Sequence, residues 1–213
     1  MQNDKQNLVE NIMALRNTTT SYGSIAKFLH WSIALLFLAA YCAVYYRHWF
    51  TETKTPANMT ALHLHLSFGI SIGVFVLLRV IWRLSNTVPD EPPGTQLEHL
   101  AAKAGHIFLY VFMIAMPITG YIGTGLGAEF FYLFHIPKFE ETALFQWLVS
   151  DTLGLTFKEF EKPVDFFHKD IGGALLVWIL IIIHIGAALF HHFYKKDNVL
   201  TRMLPNIKYK NID

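Results

Sequence analysis

The sequence predicts an all-α integral membrane protein, built as a bundle of four membrane-spanning helices. Of its 213 residues, 53% are hydrophobic, and the mean hydropathy is +0.34, which is too apolar for an ordinary soluble domain. Four stretches lack Asp, Glu, Lys and Arg, and a bilayer span needs roughly 20 mostly apolar residues. These stretches, which we call the apolar bands, are residues 28–46, 59–78, 104–128 and 171–194.

The bands divide the chain into an N-terminal arm, a membrane domain and a C-terminal tail. We predict a polar arm over residues 1–24, a four-helix domain over 25–195 and a polar tail over 196–213. The first band follows a polar arm and precedes three more spans. We therefore expect it to be a membrane helix and not a cleavable signal peptide.

The connection between the third and fourth helices, about residues 128–167, is long for a compact bundle. We therefore expect it to have structure of its own or a function. Several apolar residues in it predict a short amphipathic segment at the membrane surface. They are Phe145, Trp147, Leu148 and Leu153.

The distribution of Lys and Arg predicts that both termini lie in the cytoplasm (N-in and C-in). Of the 17 such residues, eleven lie on the side of the termini: Lys5, Arg16, Lys27, Arg79, Arg83, Lys103, Lys195, Lys196, Arg202, Lys208 and Lys210. Six lie on the other side: Arg47, Lys54, Lys138, Lys158, Lys162 and Lys169. Because cytoplasmic segments carry an excess of Lys and Arg, the long connection is expected to face outward.

Histidines recur near both ends of the bands, where an ionisable side chain is costly unless something binds it. Imidazole is a strong ligand for haem iron and other transition metals. By depth, His65 and His168 form an outer pair. His184 forms an inner pair with His30 or with His106. Facing pairs at two depths predict two haems, each held by two histidines.

Several alternatives stay open for these histidines. Each one taken alone fits a helix-packing hydrogen bond, and His63 competes with His65, although the two face different directions on a helix. Cys42 is the only cysteine and no CxxCH motif occurs, so any haem must be held without thioether bonds. Gly69 and Gly73 would let a flat macrocycle lie against the second helix.

The spacing of His168 and His184 conflicts with a regular helix. The two are 16 residues apart, which is about 24 Å of α-helix, and they would point about 160° away from each other. Ligands of two stacked haems should share one face. We therefore predict that His168 precedes the regular helix, or that Gly172 and Gly173 permit a bulge that resets the helix phase.

Over residues 21–205 the sequence resembles the bacterial cytochrome b561 family. The matching motifs are Tyr22, FLHW at 28–31, AAYC at 39–42, HLSFGISI at 65–72, Arg79, Trp82, Arg83, Leu84, GH at 105–106, Tyr110, MPITGY at 116–121 and, most distinctive, HIGAALFHHFYKKDNVLTRMLP at 184–205. The outer connection and the spacing of the two fourth-helix histidines are both longer than the family pattern.

The resemblance implies two haem b groups, one on each side of the membrane. It assigns His30 with His184 to the inner haem. It assigns His65 with His168 to the outer haem. His106 also matches a family histidine and is expected to lie beside a haem propionate or a quinone.

Some members of this family are superoxide oxidases, which oxidise superoxide to dioxygen and reduce ubiquinone. The resemblance therefore implies an oxidoreductase of the bacterial inner membrane, with superoxide or another periplasmic donor and ubiquinone as substrates, and no nucleic-acid partner. Basic residues that would attract an anion are Lys158, Lys162 and Lys169. Candidate quinone or propionate contacts beside Asp197 are His191, His192 and Lys195.

Two other functions stay open at this point. The first is a haem-carrying membrane anchor that passes electrons for a separate dehydrogenase, with the long connection as a docking surface. The second is a metal or proton transporter, which the lack of Asp and Glu in the four apolar bands disfavours.

Overall fold

The computed structural model describes residues 15–205. Lys5, Lys208 and Lys210 of the charge distribution, most of the predicted arm and the end of the predicted tail lie outside this range. Within it, the predicted fold class is confirmed, because four helices are long and apolar enough to cross a membrane. They are α1 (Ser24–Phe50), α2 (Pro56–Ser85), α3 (Gln96–Ile122) and α4 (Phe157–Lys195).

Local sequence signals set where three of the helices begin. Thr55 caps α2 by accepting a hydrogen bond from the Asn58 backbone, and Pro56 occupies the first turn, where its missing N–H costs nothing. The α3 and α4 helices each begin at a reciprocal capping box, formed by Thr95 with Glu98 in α3. In α4 the box is formed by Thr156 and Glu159.

The early start of α4 shortens the predicted outer connection. Its first segment, Phe157–Phe166, is amphipathic and contains charged residues. The absence of charge, by which the apolar bands were defined, therefore does not identify it as helix. The last eleven residues of the predicted 128–167 loop are therefore helical. We call the end of the bundle where α1 ends and α2 begins the outer face, and this connection lies there.

The rest of the connection has structure of its own, as predicted. Strands β1 (Ala128–Phe130) and β2 (Phe134–Ile136) form an antiparallel hairpin in which Glu129 pairs with His135. A 3₁₀ turn (Phe139–Glu141) and short helical segments (Ala143–Phe145 and Gln146–Thr152) follow. The buried residues Phe139, Phe145 and Val149 form a small core there, which packs on the outer end of α3 and the start of α4.

The membrane core lies mainly between α1 and α2. Ile33 and Ala40 of α1 pack with Ile72 and Val76 of α2, and Val76 is completely buried. Many other apolar residues of the helices stay exposed, for example Leu35 and Ile182 at 64% and 65%. Such an apolar exterior suits lipid as the surrounding solvent, because lipid chains are as apolar as these side chains.

Candidate functional site

The outer site brings together His65 of α2 and His168 of α4. Their ring centroids lie 6.2 Å apart with the ring planes nearly perpendicular. Two imidazoles that share one metal, each nitrogen about 2 Å from it, place their centroids about 6 Å apart. The separation therefore fits a pair of axial ligands on one iron.

The orientation of both rings is fixed by groups around them. The His65 Nδ1 lies 2.9 Å from the Ala40 carbonyl oxygen of α1. A proton on Nδ1 makes this hydrogen bond and leaves Nε2 as the free lone pair, which is the usual arrangement of a metal-binding histidine. The His168 Nδ1 lies 3.3 Å from the Thr119 hydroxyl of α3. Neither Ala40 nor Thr119 is among the predicted site residues, although Ala40 lies in the AAYC motif and Thr119 in MPITGY.

A cavity of about 470 Å³ surrounds these two rings, and it has the size of a typical cofactor pocket. Gly69 lines the cavity, and no atom lies within 4 Å of the position that a Cβ there would take. Gly120 of α3 also lines it, and a Cβ there would lie 2.8 Å from the His168 Cε1 atom. Gly73, predicted to act with Gly69, instead packs against Pro117. The cavity and the histidine pair together fit a flat macrocycle with two axial imidazoles.

The conflict over the phase of the fourth helix is resolved by a π-helical segment, Phe167–Leu176, inside α4. An α-helix turns 100° per residue, and a π-helix, with about 4.4 residues per turn, turns about 82°. Eight steps of each kind bring His184 to within about 20° of the direction of His168. The predicted phase reset is confirmed, and both histidines face the bundle on one side of α4.

Close contact between α3 and α4 accompanies the π-helix. A Cβ on Gly172 would lie 2.6 Å from the Met116 sulfur of α3 and 2.9 Å from the Phe167 carbonyl oxygen. The Gly173 carbonyl oxygen accepts a 2.7 Å hydrogen bond from the Tyr41 hydroxyl of α1. Gly172 thus lets α4 approach α3 where the phase changes, and a hydrogen bond to the backbone of Gly173 joins α4 to α1 at the same level.

The inner site brings three histidines together around His184. Its ring centroid lies 6.0 Å from that of His30 and 6.1 Å from that of His106. Either separation fits two axial ligands of one iron, so both predicted partners stay compatible with the geometry. Arg79 of α2 donates a 3.1 Å hydrogen bond to the Ala26 carbonyl oxygen nearby, which places a positive charge at the inner end of the site.

His63 does not join the outer pair. Its Nδ1 accepts a 3.4 Å hydrogen bond from the Glu129 backbone, and its ring stands edge-on to Tyr132 of the hairpin. His63 therefore contacts the outer connection, while His65 contacts His168.

The candidate quinone or propionate contacts at the end of α4 have partners within the chain. His191 pairs with Asp197, and Lys195 pairs with Glu98 at the start of α3. Burial raises the pKa of Asp197, but the hydrogen bonds from His191 and from the Val199 backbone outweigh it, so the pKa lies below its usual value. The ring of His192 contacts Phe193. These residues tie the inner end of α4 to α3 and to the tail.

Comparison with known proteins agrees with this architecture. Residues 21–206 match the profile of the family described as prokaryotic cytochrome b561. The chain is 30% identical over 207 residues to cytochrome b561 homolog 2 of Escherichia coli K12, covering 90% of this chain and 95% of that protein. It is 32% identical over 187 residues to cytochrome b561 homolog 1 of the same organism, covering 85% and 95%.

A third relative carries a functional name. It is the "Probable superoxide oxidase CybB" of Yersinia pestis, 28% identical over 186 residues, with 86% of this chain and 96% of that protein covered. The profile match and the two relatives at 30% identity or above place the chain in one family. The chain belongs to the prokaryotic cytochrome b561 family, whose members are multi-pass membrane proteins that carry haem b and transfer electrons.

Proposed function

We propose that the chain binds two haem b groups and transfers electrons from superoxide at the outer face to ubiquinone in the bacterial inner membrane. The observation that carries this proposal is the presence of histidine pairs at two depths, each with the separation expected for two ligands of one iron. In this proposal His65 and His168 hold the outer haem. His30 and His184 hold the inner one.

A haem b with two imidazole ligands supplies reversible one-electron chemistry and offers no open coordination position. The chain must therefore guide its substrates to the sides of the two sites. At the outer site His65 holds its proton on Nδ1 against the Ala40 carbonyl oxygen, so that Nε2 faces the cavity. His168 is oriented from the other side by Thr119.

A basic residue at the outer cavity supports a small anion as donor. Lys169 lines the cavity, its side chain is 63% exposed, and it pairs with Asp165 one helical turn earlier. Asp170 lines the cavity as well, so the attraction comes from the Lys169 ammonium group itself, whose N–H groups can donate hydrogen bonds to an anion at the cavity edge. The relative named as a superoxide oxidase makes superoxide the preferred anion.

The inner end of the bundle supports the quinone assignment. The ring of His106 contacts that of His184 and lies near the inner membrane surface. A quinone bound there would keep its apolar part in the membrane and place its oxygens beside polar side chains. His191, His192 and Lys195 lie on the following turns of α4. Asp197 engages the Nδ1 of His191 and Glu98 engages Lys195, which leaves the Nε2 of His191 and two N–H groups of the Lys195 ammonium for other partners. We propose that these groups bind a quinone or a haem propionate.

The reaction is tested with purified protein, xanthine oxidase as the source of superoxide and a soluble ubiquinone analogue. We expect superoxide to reduce the protein and the quinone to reoxidise it, with quinone reduction abolished by excess superoxide dismutase. Heat-inactivated xanthine oxidase serves as the control. Quinone reduction that the dismutase leaves unchanged would overturn superoxide as the donor.

The second candidate is a haem-carrying anchor for a separate dehydrogenase. The observation that favours it is the folded outer connection, where Trp147 is 63% exposed and Leu144 is 54% exposed. Failure of the superoxide assay in protein that retains its haems would favour this candidate.

The proposed topology is tested by reporter fusions at Pro205, the last described residue, and in the outer connection. With both termini in the cytoplasm, a fluorescent protein after Pro205 should fold and alkaline phosphatase there should be inactive. Phosphatase inserted after Glu140, which is exposed at the outer face, should be active. The reverse pattern would exchange the two faces and place the donor site in the cytoplasm.

A further inference from the structure

The tip of the β-hairpin exposes an unusual run of apolar side chains. Residues 130–134, here called the hairpin tip, read FFYLF, and the exposed fractions of Tyr132, Leu133 and Phe134 are 59%, 76% and 54%. Each buried Å² of apolar surface is worth about 25 cal/mol, so leaving such a run in water is unfavourable. Contiguous exposed apolar surface of this kind marks contact with a membrane or a partner.

The backbone of the tip is held in a conformation that aromatic residues rarely adopt. Phe131 and Tyr132 have φ angles of 45° and 59°, and they stand at the centre of a turn closed by a 2.9 Å hydrogen bond from Leu133 N–H to the Phe130 carbonyl oxygen. Asn-Gly is the usual occupant of such turns, because the left-handed conformation is strained for residues with larger side chains. A polar turn would be favoured in water, so this sequence suits apolar surroundings.

The α2 helix holds the tip in place. The Phe131 N–H donates to the Ser67 hydroxyl at 2.9 Å, and Ser67 is completely buried. The Phe131 ring stands edge-on to Phe68 with centroids 5.4 Å apart. The level of the tip along the bundle is therefore the level of Ser67 and Phe68.

Residue positions along two helices place this level at the outer edge of the apolar bands or deeper in the membrane. On α2, Ser67 lies eight residues inside the band that starts at residue 59, which is about 12 Å along the helix axis. On α4, the band starts at Ile171, three residues after His168, whose ring contacts His65. Ser67 is two residues further inward than His65 on α2.

The charge distribution and two backbone hydrogen bonds of the hairpin are compatible with a position at the membrane boundary. The hairpin tip contains no Asp, Glu, Lys, Arg or His, and Glu129 and His135 on either side of it are joined by a 2.8 Å hydrogen bond at its base. The backbone N–H groups of Phe131 and Leu133 both have hydrogen-bond acceptors. Backbone that enters lipid must satisfy its hydrogen bonds within the protein.

We infer that the hairpin tip is inserted into the outer leaflet of the bilayer, where Tyr132, Leu133 and Phe134 contact lipid at the boundary of headgroups and acyl chains. The occupant of this surface is lipid because the tip is continuous with the apolar bands of the neighbouring helices. Ala128, the first residue of β1, is 2% exposed and lines the cavity around His65 and His168. The strand that leads to the tip thus also forms part of one wall of that cavity.

Nitroxide spin labels in protein reconstituted into phosphatidylcholine vesicles test this inference. The labelled variants are Leu133→Cys and Phe134→Cys, both on a Cys42→Ala background. Leu77→Cys, exposed within the α2 apolar band, reports lipid contact, and Glu140→Cys, exposed in the outer connection, reports water contact. Haem content confirms that each variant is folded. If one of the two tip variants fails to fold, the other still provides the measurement.

We expect labels at 133 and 134 to collide with oxygen as the label at 77 does. Their collision with a water-soluble nickel chelate should be several-fold below that of the label at 140. Nickel access at both tip positions equal to that at 140 would overturn the inference. Such a result would mean that the tip faces water, where a soluble protein partner would be its occupant.

Discussion

Replacing His184 by alanine is expected to remove the inner haem and to leave the outer one. The His184 ring contacts both His30 and His106, so its loss deprives either partner of the second ligand. Pyridine haemochrome analysis should fall from about two to about one haem b per chain. His65→Ala should give the same count, but the reduced-minus-oxidised spectrum should then retain the component that His184→Ala loses.

His99→Ala is the matched control for both substitutions. His99 lies at the start of α3, where it pairs with Glu91 away from both histidine sites, so its loss should leave both haems. Two haems with unaltered low-spin spectra in His184→Ala would contradict the inner pairing. His30→Ala and His106→Ala then distinguish the two partners, because only the ligand is expected to be required for haem retention.

Replacing Gly120 by valine is expected to weaken haem binding at the outer site while binding at the inner site stays unchanged. A Cβ at this position would lie 2.8 Å from the His168 ring, so the valine must displace that ring from the cavity or fill the cavity itself. Overpacking of this kind costs about 1–3 kcal/mol, and each 1.4 kcal/mol lowers the affinity for haem tenfold. Titration of haem into the apo-protein should show a loss of affinity of about 5- to 150-fold at the outer site.

Gly105→Val on the same helix provides the control for this substitution. A Cβ on Gly105 meets no atom within 4 Å. The two variants therefore make the same glycine-to-valine change in α3, but only Gly120→Val brings the new side chain against His168. An equal loss of affinity at the outer site in both variants would mean that valine acts through α3 itself. An unchanged haem affinity in Gly120→Val would contradict the assignment of the outer haem to the cavity around His168.

The membrane helices could be predicted from the sequence because apolar bands report burial in lipid directly. The histidine pairs followed from depth, and the structure brings His65 to His168 and His184 to His30. The start of α4 was placed too late, because the charged segment after Thr156 resembles a loop in composition. Its capping box with Glu159 was the local signal that could have located it.

Other features depend on tertiary contacts that a single sequence does not display. The hairpin was not predicted because Phe131 and Tyr132 are poor turn formers, and Ser67 holds them in place from a distant helix. The π-helix was anticipated only as one of two possibilities, since its position depends on how Met116 packs against Gly172. The choice between His30 and His106 stays open in the sequence because both approach His184.

The π-helical segment of α4 also bears on how sequences of this family should be aligned. One residue inserted into an α-helix rotates everything beyond it by 100° and shifts it by 1.5 Å, which would turn one histidine away from its site. A π-helical turn takes up an extra residue locally, so both ligands keep their directions although the spacing between them grows. Ligands in homologues are therefore better matched by the direction in which they face the bundle than by the number of residues that separates them.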